Sequence, residues 1–224
     1  MKIMKTIIEK IDKNQKNTDI IREAGRILKE GGLVAFPTET VYGLGADALN
    51  EDAAKKIYAA KGRPSDNPLI IHITNMKALD KIVSEVPEKA VKVAEKYWPG
   101  PLTMIFNKSD IVPYGTTGGL DTVAVRMPVD EIAREVIDAG GGYIAAPSAN
   151  TSGRPSPTTA QHVAEDLTGR VDMIVDGGAV EIGVESTILD VTVEPPMILR
   201  PGAITKEMFE EVIGEVTVDR TLIR

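Results

Sequence analysis

Apolar positions recur at two periods along the chain, and the alternation between the periods predicts its architecture. Ile20, Ile21, Ala24, Ile27 and Leu28 keep helical spacing, with Thr18 or Asp19 available as a cap and Gly31-Gly32 to close the segment. Leu33-Val34-Ala35-Phe36 is a short apolar run stopped by Pro37, the pattern of a buried strand. After a stretch around Gly43 and Gly45 that reads as a turn, 51–61 returns to helical spacing with Ala54, Ile57 and Tyr58 on one face. Residues 69–73 read as the next strand. Helical patterns follow at 76–83, 88–97, 131–139 and 159–167, and strand patterns at 102–106, 122–126, 143–146 and 173–175. Two consecutive strand-like runs, 186–192 and 197–200, break the alternation, so a single α/β domain on a mixed sheet is predicted.

Composition narrows the chemistry. A chain of 224 residues with 42% hydrophobic and 26% charged positions can bury a substantial core. It has no cysteine, which excludes thiolate nucleophiles, disulfides and Cys-based metal sites. The two histidines, His72 and His162, cannot build a multi-imidazole site, so a metal is expected to be held by oxygen, as magnesium arriving with a phosphate substrate. Residues 1–16 lack the apolar core of a secretion signal and nothing approaches a membrane span, so a cytoplasmic protein without a membrane partner is expected. The net charge of −7 argues against broad, sequence-independent binding to nucleic acid, although a local basic patch stays open.

Familiar nucleotide and hydrolase motifs are missing. There is no Gly-Lys pair for a Walker loop and no Gly-x-Ser-x-Gly elbow, and Gly43-Leu44-Gly45 continues into Ala46-Asp47-Ala48 instead of completing a dinucleotide fingerprint. Other constellations carry the chemistry. Pro37 to Gly45 turns polar at a strand's end, where the hydroxyls of Thr38 and Thr40, the Glu39 carboxylate and the Tyr42 phenol suit a small polar substrate or simply shape a turn. In Lys61-Gly62-Arg63, an extended segment would aim both cations at one anion, while a role in answering the preceding helix dipole is the alternative. His72 lies in an apolar strand and reads either as a core histidine or as a ligand-facing one. Arg126 ends another strand and suits a substrate carboxylate or a structural ion pair. The Ser-, Thr- and Pro-rich stretch 147–159 is either a solvated linker or, from its place between strand and helix, a ligand loop offering Ser148, Asn150 and Ser156.

The order Lys61-Gly62-Arg63 and then Ser148-Ala149-Asn150 resembles the Lys-x-Arg and Ser-x-Asn signature of the YrdC-like threonylcarbamoyl-adenylate synthases. Residues 37–45, 67–72, 123–128, 185–187 and 199–202 match that family's wording too, so the resemblance spans roughly residues 18–214. It implies a twisted open mixed β-sheet with helices packed on it and a concave, positively lined cavity. It further implies that L-threonine, bicarbonate and ATP with Mg2+ give threonylcarbamoyl-AMP and pyrophosphate, and that the product passes to a separate transferase complex acting on tRNA. By the same resemblance Thr40, His72, Arg126 and Ser186 contact threonine, while Lys61, Arg63, Asn67, Thr122, Ser148, Asn150, Ser156 and Arg200 hold ATP. Lys61, Arg63, Ser148 and Asn150 are the residues expected to be catalytic, and metal ligands stay unassigned.

The family's long form continues into a linker and a second domain. Residues 1–214 are accordingly expected to be the catalytic domain, and 215–224 a C-terminal tail that resembles the start of that linker. The chain is expected to be either a short form or a piece of the long one, and in the second case, without the linker over the cavity, it is expected to bind ATP but turn over slowly. Two rival readings are a non-catalytic module binding double-stranded RNA or tRNA on the same concave surface, and a carbamoyl-transferring relative using carbamoyl phosphate.

Overall fold

A computed structural model of the chain describes residues 3–222. The first half runs β1 (Ile7–Lys10), α1 (Thr18–Lys29), β2 (Val34–Pro37), β3 (Tyr42–Asp47), α2 (Glu51–Lys61), β4 (Ile70–His72), α3 (Met76–Ile82), α4 (Glu88–Tyr97) and β5 (Leu102–Asn107). The second runs α5 (Tyr114–Thr117), β6 (Thr122–Arg126), α6 (Glu131–Ala139), β7 (Ile144–Ala145), α7 (Ala160–Leu167), β8 (Met173–Asp176), β9 (Thr187–Asp190), β10 (Met197–Arg200), α8 (Lys206–Ile213) and β11 (Thr217–Val218). One sheet holds all eleven strands in the order β1-β8-β2-β3-β7-β4-β6-β5-β9-β10-β11. Parallel pairs such as β4 with β6 occur beside antiparallel ones such as β5 with β6, so the predicted mixed α/β sheet is the observed one.

Local signals set most boundaries. The Asn50 side chain accepts from Ala53 N at 3.2 Å to start α2, and Gly62, in the left-handed region at φ 64°, ends it. The first helix departs from expectation: it starts at Thr18, and Asn17 before it makes no side-chain cap bond. The Asn17 amide is instead committed to Asp12, accepting from its N at 3.0 Å and donating to its O at 2.9 Å.

The period of two along each strand divides the sheet into two unlike faces. Leu44, Ile71, Met104, Val125, Ala145 and Leu189 point to one face and join a core with buried residues of α2, α3, α4, α7 and α8. Phe36, Ile144, Met173 and Val175 point to the other, where Ala24, Ile27 and Leu28 of α1 and Ala133, Val136 and Ile137 of α6 cover them. Each fully buried side chain of this size contributes about 1.5–3 kcal/mol. Helices α1 and α6 cover only the β8-β2-β3-β7 half of that second face. Beyond β7 the same face is left for a cavity, and its register places the functional side chains.

The stretch expected to be a turn around Gly43 and Gly45 is strand β3, paired antiparallel with β2 and β7. Its glycines serve close approach. A Cβ on Gly45 would lie 2.7 Å from the Phe36 ring and 2.9 Å from the Ile144 side chain, and one on Gly43 would lie 3.2 Å from the Ala146 Cβ. Within the stretch expected to be a tail, Val216 is buried and β11 pairs parallel with β10. Among the described residues no helix is long and apolar enough to cross a membrane.

Candidate active site

Parallel pairing sets His72 beside Arg126, and antiparallel pairing sets Arg126 opposite Thr103. The next row on the same face is Ile70, Ala124 and Ile105. These rows floor a cavity of about 270 Å3, walled by the 38–43 segment, Arg63, Asn67, Ser148, Glu185, Ser186 and Arg200. A larger groove of about 1230 Å3 runs between α1 and α6, but its charged lining residues, among them Lys13, Arg22, Glu131 and Glu135, are all exposed or half-buried.

At one end Arg126 is buried and held on several sides. Its guanidinium donates to the Glu39 carboxylate, to Thr40 Oγ1 at 2.8 Å and to the Gly100 carbonyl at 3.2 Å. The second Glu39 oxygen accepts from Val129 N at 2.9 Å, so the carboxylate is fixed in turn. Thr38 spends its proton on the Val41 carbonyl at 2.7 Å, which leaves the Thr40 proton free for Thr38 Oγ1, 2.9 Å away, or for a ligand. Of the alternatives raised for Arg126 the structure has the ion pair, and the residue also lines the cavity. His72 lines the cavity too, with Nδ1 donating to the Ile70 carbonyl at 3.1 Å. Burial, reinforced by the Arg126 charge, pushes the imidazole down to about 3, so it is neutral near pH 7.

At the other end the cations are only half-buried. Arg200 donates to the Ser186 carbonyl at 2.9 Å, to Ser186 Oγ at 3.1 Å and to the Glu185 carboxylate. Ser186 Oγ also meets Thr103 Oγ1 at 2.7 Å, which ties β5 to the segment leading into β9. Arg63 donates to the Pro68 carbonyl at 2.8 Å, while its buried Nε finds no acceptor in the protein and remains available to a ligand.

Lys61 and Arg63 do not converge as an extended segment would make them. Lys61 is the last residue of α2, and the left-handed Gly62 turns the chain between the two cations. The Lys61 ammonium is buried and donates to the carbonyls of Ser148 and, at 2.7 Å, Asn150, so it pins the Ser148 loop from behind. Burial first and the Arg63 charge second push Lys61 down to about 8. Asn150 lies in the same buried layer, where its Nδ2 donates to Thr151 O at 2.8 Å and Arg154 O at 2.9 Å. Its Oδ1 then accepts from nothing in the protein, which suits a ligand hydroxyl better than a phosphate.

The cavity thus brings together Thr40, Arg63, Asn67, His72, Arg126, Ser148, Ser186 and Arg200. Lys61 and Asn150 lie behind its wall, and Ser156 reaches it through Glu185, donating to that carboxylate at 2.6 Å. Thr122 is half-buried at the start of β6, on the face of Ala124 and Arg126 but outside the lining. The Tyr42 phenol faces away: it donates to the Gly178 carbonyl at 2.7 Å and accepts from Gly177 N at 3.1 Å, which makes it a strut for that loop. Sequence reasoning named Thr38 and Glu39 with Thr40 at the strand's end, but it did not assign Thr103 or the Glu185 carboxylate to the site. What the sequence did not show for Glu39 is its pairing with Arg126.

Cationic side chains at both ends of a sheet-floored cavity define an α/β protein with a cleft on the open half of its sheet. The chain belongs to the Sua5/YciO/YrdC family, whose model, described as telomere recombination, matches residues 26–202. It is 58% identical over 198 residues to the threonylcarbamoyl-AMP synthase of Pyrococcus abyssi, covering 88% of this chain and 58% of that protein. To the threonylcarbamoyl-AMP synthase of Bacillus subtilis it is 52% identical over 223 residues, 99% of this chain and 64% of the relative. The crystal structure of P. abyssi Sua5 complexed with L-threonine superposes with a TM-score of 0.93 at 52% identity, over 98% of this chain and 64% of that one. The chain therefore spans about three fifths of the length of these relatives.

Proposed function

We propose that this chain makes threonylcarbamoyl-AMP from L-threonine, bicarbonate and ATP. The observation that carries the reading is a single cavity with two unlike cationic ends: the collared Arg126, and Arg63 with Arg200. The names of the relatives support it, as does the threonine complex of the P. abyssi protein.

Condensation of the threonine amine with bicarbonate loses water and leaves a carbamate. A carbamate oxygen then bonds to the α-phosphorus of ATP while the bond to the α–β bridging oxygen breaks, and pyrophosphate leaves. No protein nucleophile is needed, only alignment and charge neutralisation. Arg126 takes the threonine carboxylate, with Thr40, His72 and Ser186 around the rest of the amino acid. Neutral His72 adds no second cation there. Arg63, through its unpartnered Nε, and Arg200 neutralise phosphates, while Lys61 keeps the Ser148 loop in place. Asn67 lines the nucleotide end, whereas Thr122, Asn150 and Ser156 lie outside the lining and would meet ATP only where it extends past the cavity. Mg2+ would enter on ATP, where it would supply charge neutralisation to the phosphates. The product passes to a separate transferase acting on tRNA, and the work is done in the cytoplasm.

Pyrophosphate release from ATP, with bicarbonate and with L-threonine, L-serine or no amino acid, tests this. Threonine-dependent release is expected. Release at the same rate with no amino acid would overturn the assignment.

A further inference from the structure

One carboxylate stands at the cationic end of the cavity, and its partners are donors that the proposed reaction needs. Glu185 accepts from Arg200 through one oxygen and from Ser156 Oγ, at 2.6 Å, through the other. Its charge is felt by Lys61 and Arg63 as well as Arg200, so it sits amid three cations. The pair with Arg200 is about one third exposed, at 31% and 32%, so solvent reaches it and the contact can exchange. Ser156 has a single hydroxyl proton, which cannot be given to Glu185 and to a phosphate at once. An ionised carboxylate has no proton to offer a phosphate, and two anions on one guanidinium edge repel each other.

We propose that Glu185 is an internal competitor for the nucleotide's phosphates, holding Arg200 and Ser156 until ATP takes both donors from it. This rests on the reading that ATP phosphates enter at this end. Glu185 thereby sets how tightly nucleotide is held, and it lets pyrophosphate leave a site that would otherwise keep Arg63 and Arg200 unopposed on it. The freed carboxylate turns toward solvent, a move its exposure allows.

The test is calorimetric titration of ATP with magnesium into the wild-type chain, Glu185→Gln and Glu185→Asp, with melting curves to show that each variant is folded. Glu185→Gln removes the charge, and Glu185→Asp withdraws the carboxylate by one methylene. The expected result is tighter ATP binding in both, roughly fivefold for Glu185→Gln, the worth of a partly screened ion pair, and less for Glu185→Asp. A strut that merely positions Arg200 would give the opposite sign. ATP binding that is unchanged or weaker in both folded variants, with wild-type binding intact, overturns the competitor role and leaves the proposed function standing. Failure of the wild-type chain to bind ATP overturns both.

Discussion

At the Arg126 end of the cavity the cation and its counter-charge Glu39 are buried together, each at 4% side-chain exposure, whereas at the Arg200 end the pair with Glu185 is about one third exposed. The first pair is locked by Val129 N, Thr40 and Gly100, and the second leans on one serine hydroxyl and on Ser186. Under the proposed function this contrast lets one cavity serve two substrates: the fixed end would take a small amino acid, and the end whose charges can change partners would take a polyphosphate.

The largest expected effect breaks the buried pair. Arg126→Ala leaves Glu39 buried without its partner and should cost about 3–5 kcal/mol of stability in urea unfolding. Arg200→Ala removes a half-exposed pair and should cost about 1 kcal/mol or less. Equal losses would erase the distinction between the ends.

A smaller effect sharpens the comparison through pH. Lys61 is held down to about 8 against its ordinary 10.5, so its charge is lost in the folded protein as pH rises through about 8. ATP-dependent turnover should fall across that range, and Lys61→Arg should abolish the fall. Stability should move the other way. Between about 8 and 10.5 the unfolded chain binds a proton there that the folded one does not, so this group's contribution to stability grows with pH. A threonine requirement that tracks the same pH step would place Lys61 at the wrong end.

Much of this was readable before any coordinates. Helical spacing located α1, α2, α4 and α6, each of which buries one regular face, and continuous apolar runs located strands such as β2, which is buried on both faces. Strand β3 was hidden by Gly43 and Gly45, whose reason is a neighbour across the sheet, and β1 by four exposed residues that carry no apolar alternation. Helix α8 buries Phe209 but starts from Thr205, with no charged partner at the third position to mark a capping box by its usual residues. The site divides similarly. Cations at strand ends and hydroxyls in a post-strand loop are local signals, so Thr40, Arg63, Arg126 and Ser148 were legible. The pairing of Glu39 with Arg126 joins residues 87 positions apart, and that of Ser156 with Glu185 joins residues 29 apart. No periodicity encodes such contacts. The expected convergence of Lys61 and Arg63 failed for a local reason, the left-handed Gly62 between them.

The most direct test of the two-ended cavity is to titrate L-threonine and ATP separately into the wild-type chain, Arg126→Lys and Arg63→Ala. The account predicts that Arg126→Lys weakens threonine at least tenfold and leaves ATP within about a factor of two, since separate sites act nearly independently. It predicts that Arg63→Ala weakens ATP roughly 10- to 150-fold and leaves threonine within the same factor of about two. Either variant weakening both ligands equally would contradict the division of the cavity into an amino-acid end and a phosphate end.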